Sequence, residues 1–332
     1  MDVTVILCTY NRCRSLAVVL ENLVRQVMPD SATWEILVVD NNSTDGTRNV
    51  AEEFATKYPE RIRYVCEARQ GLSFARNAGI SQSSARVLAF TDDDVTIEAD
   101  WLRNLTAELI QGNWAGAGGR IVPLWSRPLP GWLCADDPNT MGPFVAFDAG
   151  AEAGELVRAP YGANMAFRRE MFEKYGGFRT DLGRSSKNLQ GREDIEFASR
   201  ILARGERLRY EPSAVVYHPA PSERMTQSFV LRWWFWYGFG EVVDLGPPPG
   251  ARWHVHGIPM SLLRRLARWS VEWMSSSRSQ QRFACKRKVW YLAGMISACY
   301  RQDTSRNSAG VEIPEISRRP PEHSTWQTDG SR

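Results

Sequence analysis

The chain reads as an α/β protein: a doubly wound, mostly parallel sheet flanked by helices, with a helical C-terminal extension. Three observations predict this. Short, near-continuous apolar runs recur through the first 122 residues, as strands buried on both faces require. Segments with helical apolar spacing separate them, which is the βαβ order of a parallel sheet with right-handed crossovers. From residue 226 the pattern turns helical and rich in aromatics.

Val3–Cys8 is the first expected strand, and a helix over Ser15–Gln26 sets Leu16, Val19, Leu20 and Leu23 on one face. Trp34–Asp40 is the second strand. Residues 41–47 form a turn of helix-capping residues that opens a helix to about Tyr58. Ile62–Val65, a short helix over 71–80 and Val87–Thr91 continue the alternation. A helix over Asp100–Gln111 and a strand over Ala115–Val122 follow. Residues 123–160, rich in Pro, Trp and Gly, read as irregular loop. Regular structure resumes over 161–217, with a helix at Glu193–Arg204 and a strand at Ala214–Tyr217. Residues 1–225 are thus expected to form one unit, with a change of pattern near residue 122. Residues 226–301 form a helical extension, and the polar, Pro-bearing tail 302–332 reads as disordered.

A chain of 332 residues suffices for one large α/β domain with additions. A net charge of +3 gives no polyelectrolyte attraction, so no nucleic-acid partner is expected. Cys8, Cys13, Cys66, Cys134, Cys285 and Cys299 are scattered without a CxxC pair, which argues against zinc or disulfides and for a reducing, cytoplasmic setting. Met1–Leu7 enters a strand without a basic leader or cleavage site, and no run of 18 apolar residues occurs.

The chemistry is signalled first by Asp92-Asp93-Asp94, directly after Val87–Thr91. Carboxyl ends of strands in open α/β sheets face the ligand crevice. Three adjoining carboxylates call for a cation, and hard oxygen ligands favour Mg²⁺ or Mn²⁺, the setting for a diphosphate. Taken alone, such a triplet is more often a solvated turn or a helix N-cap. The first loop, Cys8–Arg12, has neither GxGxxG nor GxxxxGK[ST] and offers Thr9, Tyr10 and Asn11 instead. Asp40 ends the second strand, where an acid can accept a hydrogen bond from a ribose or a base N–H.

Four blocks stand in order: Thr4–Asn11, Val39–Thr47 (VDNNSTDGT), Gly71–Gly79 (GLSFARNAG) and the triplet 92–94. Together they resemble the nucleotide-binding half of the family 2 glycosyltransferases, which have the GT-A fold. The resemblance covers about residues 1–225. It implies an inverting transfer from a nucleotide-sugar donor to a hydroxyl with a divalent metal. On that likeness Asp92 and Asp94 are the acids of a DxD motif, Asp92 toward the ribose and Asp94 toward metal and diphosphate, with Asp93 beside the donor. Asp40 contacts the base, and Thr9, Tyr10 and Asn11 complete that wall. Arg76 and Asn77 lie near the nucleotide, or simply cap their helix. Pro160–Arg169 resembles the segment beneath the donor sugar, where Asn164 either bonds sugar hydroxyls or belongs to a buried turn.

Glu193-Asp194 opens a helix, and the helix dipole alone accounts for acids there. The resemblance places Asp194 as general base at the acceptor hydroxyl and Glu193 as a residue orienting the acceptor. His218 ends a strand, either as a structural histidine or as a metal or phosphate ligand, and Arg224 is placed to pair with the diphosphate. Uracil and thymine present the same N3–H to Asp40, so the donor is expected to be UDP- or dTDP-linked. The acceptor is a saccharide or a lipid-linked glycan, in polysaccharide, glycolipid or glycoconjugate biosynthesis.

Of thirteen Trp, eight lie after residue 225, together with many Arg. They allow peripheral membrane contact through 229–300 on the inner leaflet, an aromatic cover on the acceptor side, or sugar-stacking platforms. Two other functions compete. A sugar nucleotidyltransferase would carry a Gly-rich loop and a Lys where Thr9–Arg14 stands. A non-catalytic binder would have no use for Asp194 beside Asp92 and Asp94.

Overall fold

Successive side chains of a strand point to opposite faces, and the leading strands bury both. In the computed structural model, which describes residues 1–134, 137–185, 188–249 and 253–309, β1 (Val3–Thr9), β2 (Trp34–Asp40), β3 (Ile62–Cys66) and β4 (Val87–Thr91) form a parallel set in the order β3-β2-β1-β4. Val3, Val5 and Leu7 join Ile36 and Val38 in one apolar cluster, while Ile6, Leu37 and Val39 join the other. The helices between them are α1 (Cys13–Val24), α2 (Thr47–Lys57) and α3 (Leu72–Gln82). Leu16, Leu20 and Leu23 of α1 are fully buried in the first cluster. Each such side chain contributes roughly 1.5–3 kcal/mol.

A two-residue strand, β5 (Thr96–Ile97), precedes α4 (Trp101–Gln111), and β6 (Gly116–Trp125) follows. The stretch expected as loop is only partly so. β6 runs on to Trp125, and α5 (Pro138–Met141), a 3-10 turn at Gly142–Phe144 and β7 (Gly154–Leu156) lie within it. β8 (Asn164–Arg168), α6 (Arg169–Tyr175), α7 (Glu193–Leu202) and β9 (Leu208–Ala220) complete the sheet half. The order continues β4-β8-β6-β9-β5, with β7 paired to β9. β8 is antiparallel to both β4 and β6, so the sheet is mixed although mostly parallel. The expected strand 214–217 is the middle of the 13-residue β9.

This topology collects one rim. Thr9 lies opposite Asp40, and Thr91 opposite Asn164. β6 and β9 run parallel, with Pro123 opposite His218. β5 pairs Thr96 with Tyr217, which folds the chain just after the acidic triplet back against His218.

The extension is α8 (Gln227–Leu245), a hairpin of β10 (His254–Val255) and β11 (Ile258–Pro259), then α9 (Met260–Ser275) and α10 (Ser279–Ala309). α10 passes Gln302, where disorder was expected to begin, and ends at Ala309; the rest of that tail lies outside the described residues. No described helix is long and apolar enough to cross a membrane.

Candidate functional site

The rim encloses a cleft of about 310 Å³. One wall is acidic. A ligand atom each from Asp92, Asp94 and His218 lie within 4.8 Å of one another. His218 is buried, and its Nδ1 donates to the Pro219 carbonyl at 3.1 Å. That bond turns Nε2 toward Asp92 Oδ2 and Asp94 Oδ1, at 3.7 and 3.8 Å. A backbone-oriented imidazole with two carboxylates is a donor set that fits a divalent cation such as Mn²⁺ or Mg²⁺.

Asp93 stands apart from this group. Its Oδ2 accepts from Thr9 Oγ1 at 2.7 Å, and burial, with Asp94 and Asp92 alongside, pushes its carboxyl up to about 7 despite that bond. Burial also opposes the charge on Asp92, but the His218 imidazole with Arg76 and Arg184 outweighs it and holds Asp92 down at about 2. Arg12 and Arg224 approach Asp94 Oδ2 at 3.7 and 3.5 Å. These are loose pairings, with guanidinium donors left for an anion.

The opposite wall is the start of α7. Asp194 Oδ2 accepts from the Gly162 N–H at 2.7 Å, and its Oδ1 from the Ile195 N–H at 2.8 Å. A Cβ at position 162 would strike the Arg76 guanidinium, so a side chain there would have to displace it. Arg76 in turn donates to Glu193 Oε1 at 2.7 Å, both side chains being about 4% exposed. Glu193 Oε2 is buried without a partner. Burial and the neighbouring Asp194 push the Glu193 carboxyl up, against the pull of Arg76. Beneath this wall Phe172 of α6 stacks on Phe197 of α7, centroids 4.4 Å apart, with Phe167 and Phe178 packed edge-on or tilted against Phe197. That cluster fixes the helix start that carries the two acids.

Of the residues singled out from sequence, Thr9, Tyr10, Arg76, Asp92, Asp93, Asp94, Glu193, Asp194, His218 and Arg224 line one cleft. Four expected residues are not among its lining. Asn164 is fully buried, accepting from Trp101 Nε1 and donating to the Arg120 and Ala214 carbonyls, so it locks the sheet interior instead of meeting a sugar. Asn77 makes a two-bond clasp with the backbone of Phe178. Asn11, in the left-handed region at φ 51°, accepts from the Thr44 N–H and steadies the β2–α2 turn. Asp40 is buried one step back, with Oδ1 accepting from the Ser43 N–H and Oδ2 from the Tyr64 hydroxyl.

Arg184 and Arg192, also in the lining, were not singled out from sequence. Arg184 comes from a loop with no periodic signal. Arg192 precedes the acidic pair and is buried. Trp233 and Tyr237 of α8 stack at 5.1 Å and close the cleft's far end with Tyr161. Trp233 and Tyr237 belong to the aromatic segment that the sequence offered as an acceptor-side cover or a sugar-stacking platform.

A family model described as glycosyl transferase family 2 matches residues 4–176. The chain belongs to this family. The glucosyl-dolichyl phosphate glucuronosyltransferase of Haloferax volcanii is 30% identical over 261 residues, 74% of this chain and 78% of that protein. The succinoglycan biosynthesis protein ExoM of Rhizobium meliloti is 29% identical, over 68% and 69% of the two chains. Among solved structures, the Pyrobaculum calidifontis mannosyltransferase PcManGT in complex with GDP-Man and Mn²⁺ superposes with a TM-score of 0.56 at 22% identity, covering 94% of this chain and 88% of that one. Residues 1–349 of the S. aureus protein TarS, in complex with UDP, give 0.51 at 16%, covering 95% and 94%. The fold is GT-A, and the family 2 glycosyltransferases act on nucleotide sugars. In this member the DxD-like group is Asp92, Asp94 and His218.

Proposed function

We propose that this enzyme moves a glycosyl group, with inversion, from a UDP- or dTDP-linked donor to an acceptor hydroxyl in the assembly of a polysaccharide or lipid-linked glycan. One observation carries the reading: a cation-ready wall of Asp92, Asp94 and His218 faces a carboxylate wall at Asp194 across a single cleft. Asp92, Asp94 and His218 would hold Mg²⁺ or Mn²⁺, which would supply positive charge against the departing diphosphate. Arg12 and Arg224 supply guanidinium donors to the diphosphate oxygens. Asp194, oriented by two backbone N–H groups, takes the acceptor hydroxyl's proton as the new bond forms, because an alcohol is too weak an acid to ionise beforehand. One displacement needs no covalent enzyme intermediate and inverts the anomeric centre. Glu193 and Arg76 hold the first turn of α7, and Glu193 Oε2 is left to accept from a sugar hydroxyl.

With Asp40 engaged by Ser43 and Tyr64, the acceptor for a pyrimidine N3–H passes to the amide of Gln70, which with Tyr10 lines the cleft. The Haloferax glucosyl-dolichyl phosphate glucuronosyltransferase and the Rhizobium succinoglycan biosynthesis protein favour a lipid-linked or polysaccharide acceptor for this enzyme. Such an acceptor also places the protein peripherally at a membrane.

The test is calorimetric binding of UDP, dTDP and GDP, each with and without Mn²⁺, together with nucleotide release from the matching sugar donor. Wild type should bind one pyrimidine nucleotide more tightly with metal. His218→Ala should lose at least tenfold of that metal-dependent gain. Asp194→Asn should keep nucleotide binding and lose turnover by roughly two orders of magnitude or more. Full turnover in Asp194→Asn removes that residue from the mechanism, and preference for GDP overturns the donor assignment.

A further inference from the structure

The aromatic and basic residues of the C-terminal region separate into an inner and an outer set. The inner set belongs to α8: Trp234 is buried with Met225 and Phe283, and Trp233 and Tyr237 line the cleft. The outer set lies on α9 and the start of α10. Residues 260–301 hold nine Lys and Arg against one acid, Glu272, although the whole chain is only +3. The rest of the molecule is therefore net negative, and this segment concentrates the positive charge.

α9 has two distinct faces. Leu262 is buried, and Leu266 and Trp269 pack toward Phe239 and Leu292. The other side carries Arg264, Arg268, Val271 and Met274, exposed at spacings of three and four residues and so on one stripe. Val271 is 60% and Met274 69% exposed. Trp253, 72% exposed, sits at the entry to the hairpin that leads into the helix. The face is also preformed. Lys288 and Lys286 of α10 lie over the Trp269 and Trp273 rings, 3.5 and 5.4 Å from the centroids, and hold α9 in place.

We propose that this stripe is the docking surface for an anionic lipid bilayer. α9 lies in the plane of the interface, its arginines among the headgroups and Val271 and Met274 at the acyl boundary. A soluble polyanion would account for the arginines but would gain nothing from exposed Val and Met continuing the same stripe. The proposal does not depend on which sugar is transferred or to what.

The experiment is co-sedimentation of the full-length protein with phosphatidylcholine vesicles, with and without an equal part of phosphatidylglycerol. Binding is expected only to the anionic vesicles, and it should disappear at about 0.5 M NaCl, where the Debye length is a few ångströms. Arg264→Glu, Arg265→Glu and Arg268→Glu combined should weaken it at least tenfold. Val271→Ser with Met274→Ser, which changes no charge, should weaken it as well, and both variants should still melt cooperatively, because every substituted side chain is exposed. Failure of the wild type to sediment with anionic vesicles overturns the proposal. So does full binding by the arginine variant. Full binding by the Val271/Met274 variant shows that the surface reads charge alone and overturns the bilayer assignment.

Discussion

Glu35 is a polar residue in a strand with no exposed position. It is buried in β2, yet its Oε1 accepts from Thr4 Oγ1 at 2.9 Å, and its carboxylate takes two bonds from Arg63, at 2.7 and 2.9 Å. Burial pushes the carboxyl up, but the bonds from Arg63 and Thr4 outweigh it and leave it below the ordinary 4.5. A depressed folded value means stability that is present above pH 4.5 and lost as pH falls through the folded value. Glu35→Gln should therefore lower stability at pH 7 by about 1–2 kcal/mol, discounted because Arg63 is half exposed. In thermal melts from pH 7 to pH 3 the gap to wild type should narrow below pH 4.5; a constant gap would mean the charge plays no part. Residue type foretold such bonding capacity but not the partner. Asp92, Asp94 and Asp194 were legible because they stand at element ends beside apolar runs. Asn164 and Asn77 were misplaced because a buried amide bonds backbone as readily as sugar, and only the paired strands and the loop at Phe178 reveal which.

At the scale of elements, α7 depends on α8. Arg192, the residue before Glu193, is buried in the left-handed region at φ 82°. Its guanidinium donates to Asp244 Oδ2 at 2.9 Å, lies 3.5 Å from Glu241 and 5.2 Å over the Tyr237 ring, and Tyr291 of α10 donates to Glu241 at 2.7 Å. A non-glycine residue holds such a backbone only when its surroundings fix it. Removing one partner of a buried pair costs about 3–5 kcal/mol, reduced here because Glu241 remains. Asp244→Ala should lower the thermal midpoint and cut turnover through a misplaced Asp194, with nucleotide affinity unchanged, since Thr9, Asp92 and His218 sit on the sheet. Loss of nucleotide affinity in step with turnover would count against this coupling. Helical periodicity had made α1, α4 and α7 readable to within a turn, and apolar runs had done so for β1 to β4. β5, β7 and β8 are two, three and five residues long and carry no pattern of their own. They exist because β9 and the β4–β6 gap offer unpaired backbone, which is tertiary information.

For the whole molecule, the extension is built as part of the catalytic body. α8 and α10 cross in direct backbone contact: a Cβ on Gly294 would strike the Phe235 carbonyl, and one on Gly238 the Tyr291 carbonyl. The two glycines are reciprocal, so neither helix can carry a side chain at the crossing without moving apart. α8 is also the helix that brings Trp233 and Tyr237 to the cleft and Asp244 to Arg192. Gly294→Val should therefore act twice. Overpacking costs about 1–3 kcal/mol or more, seen as a drop of several degrees in the circular-dichroism melt. Displacement of α8 should reduce turnover with acceptor while Mn²⁺-dependent nucleotide binding persists at the sheet rim. Gly131→Ala, with nothing near its Cβ, is the matched control and should change neither. An unchanged melt and unchanged turnover in Gly294→Val would mean the helices can separate freely. The acceptor wall would then have to be held by the sheet alone, through Tyr161 and the first turn of α7.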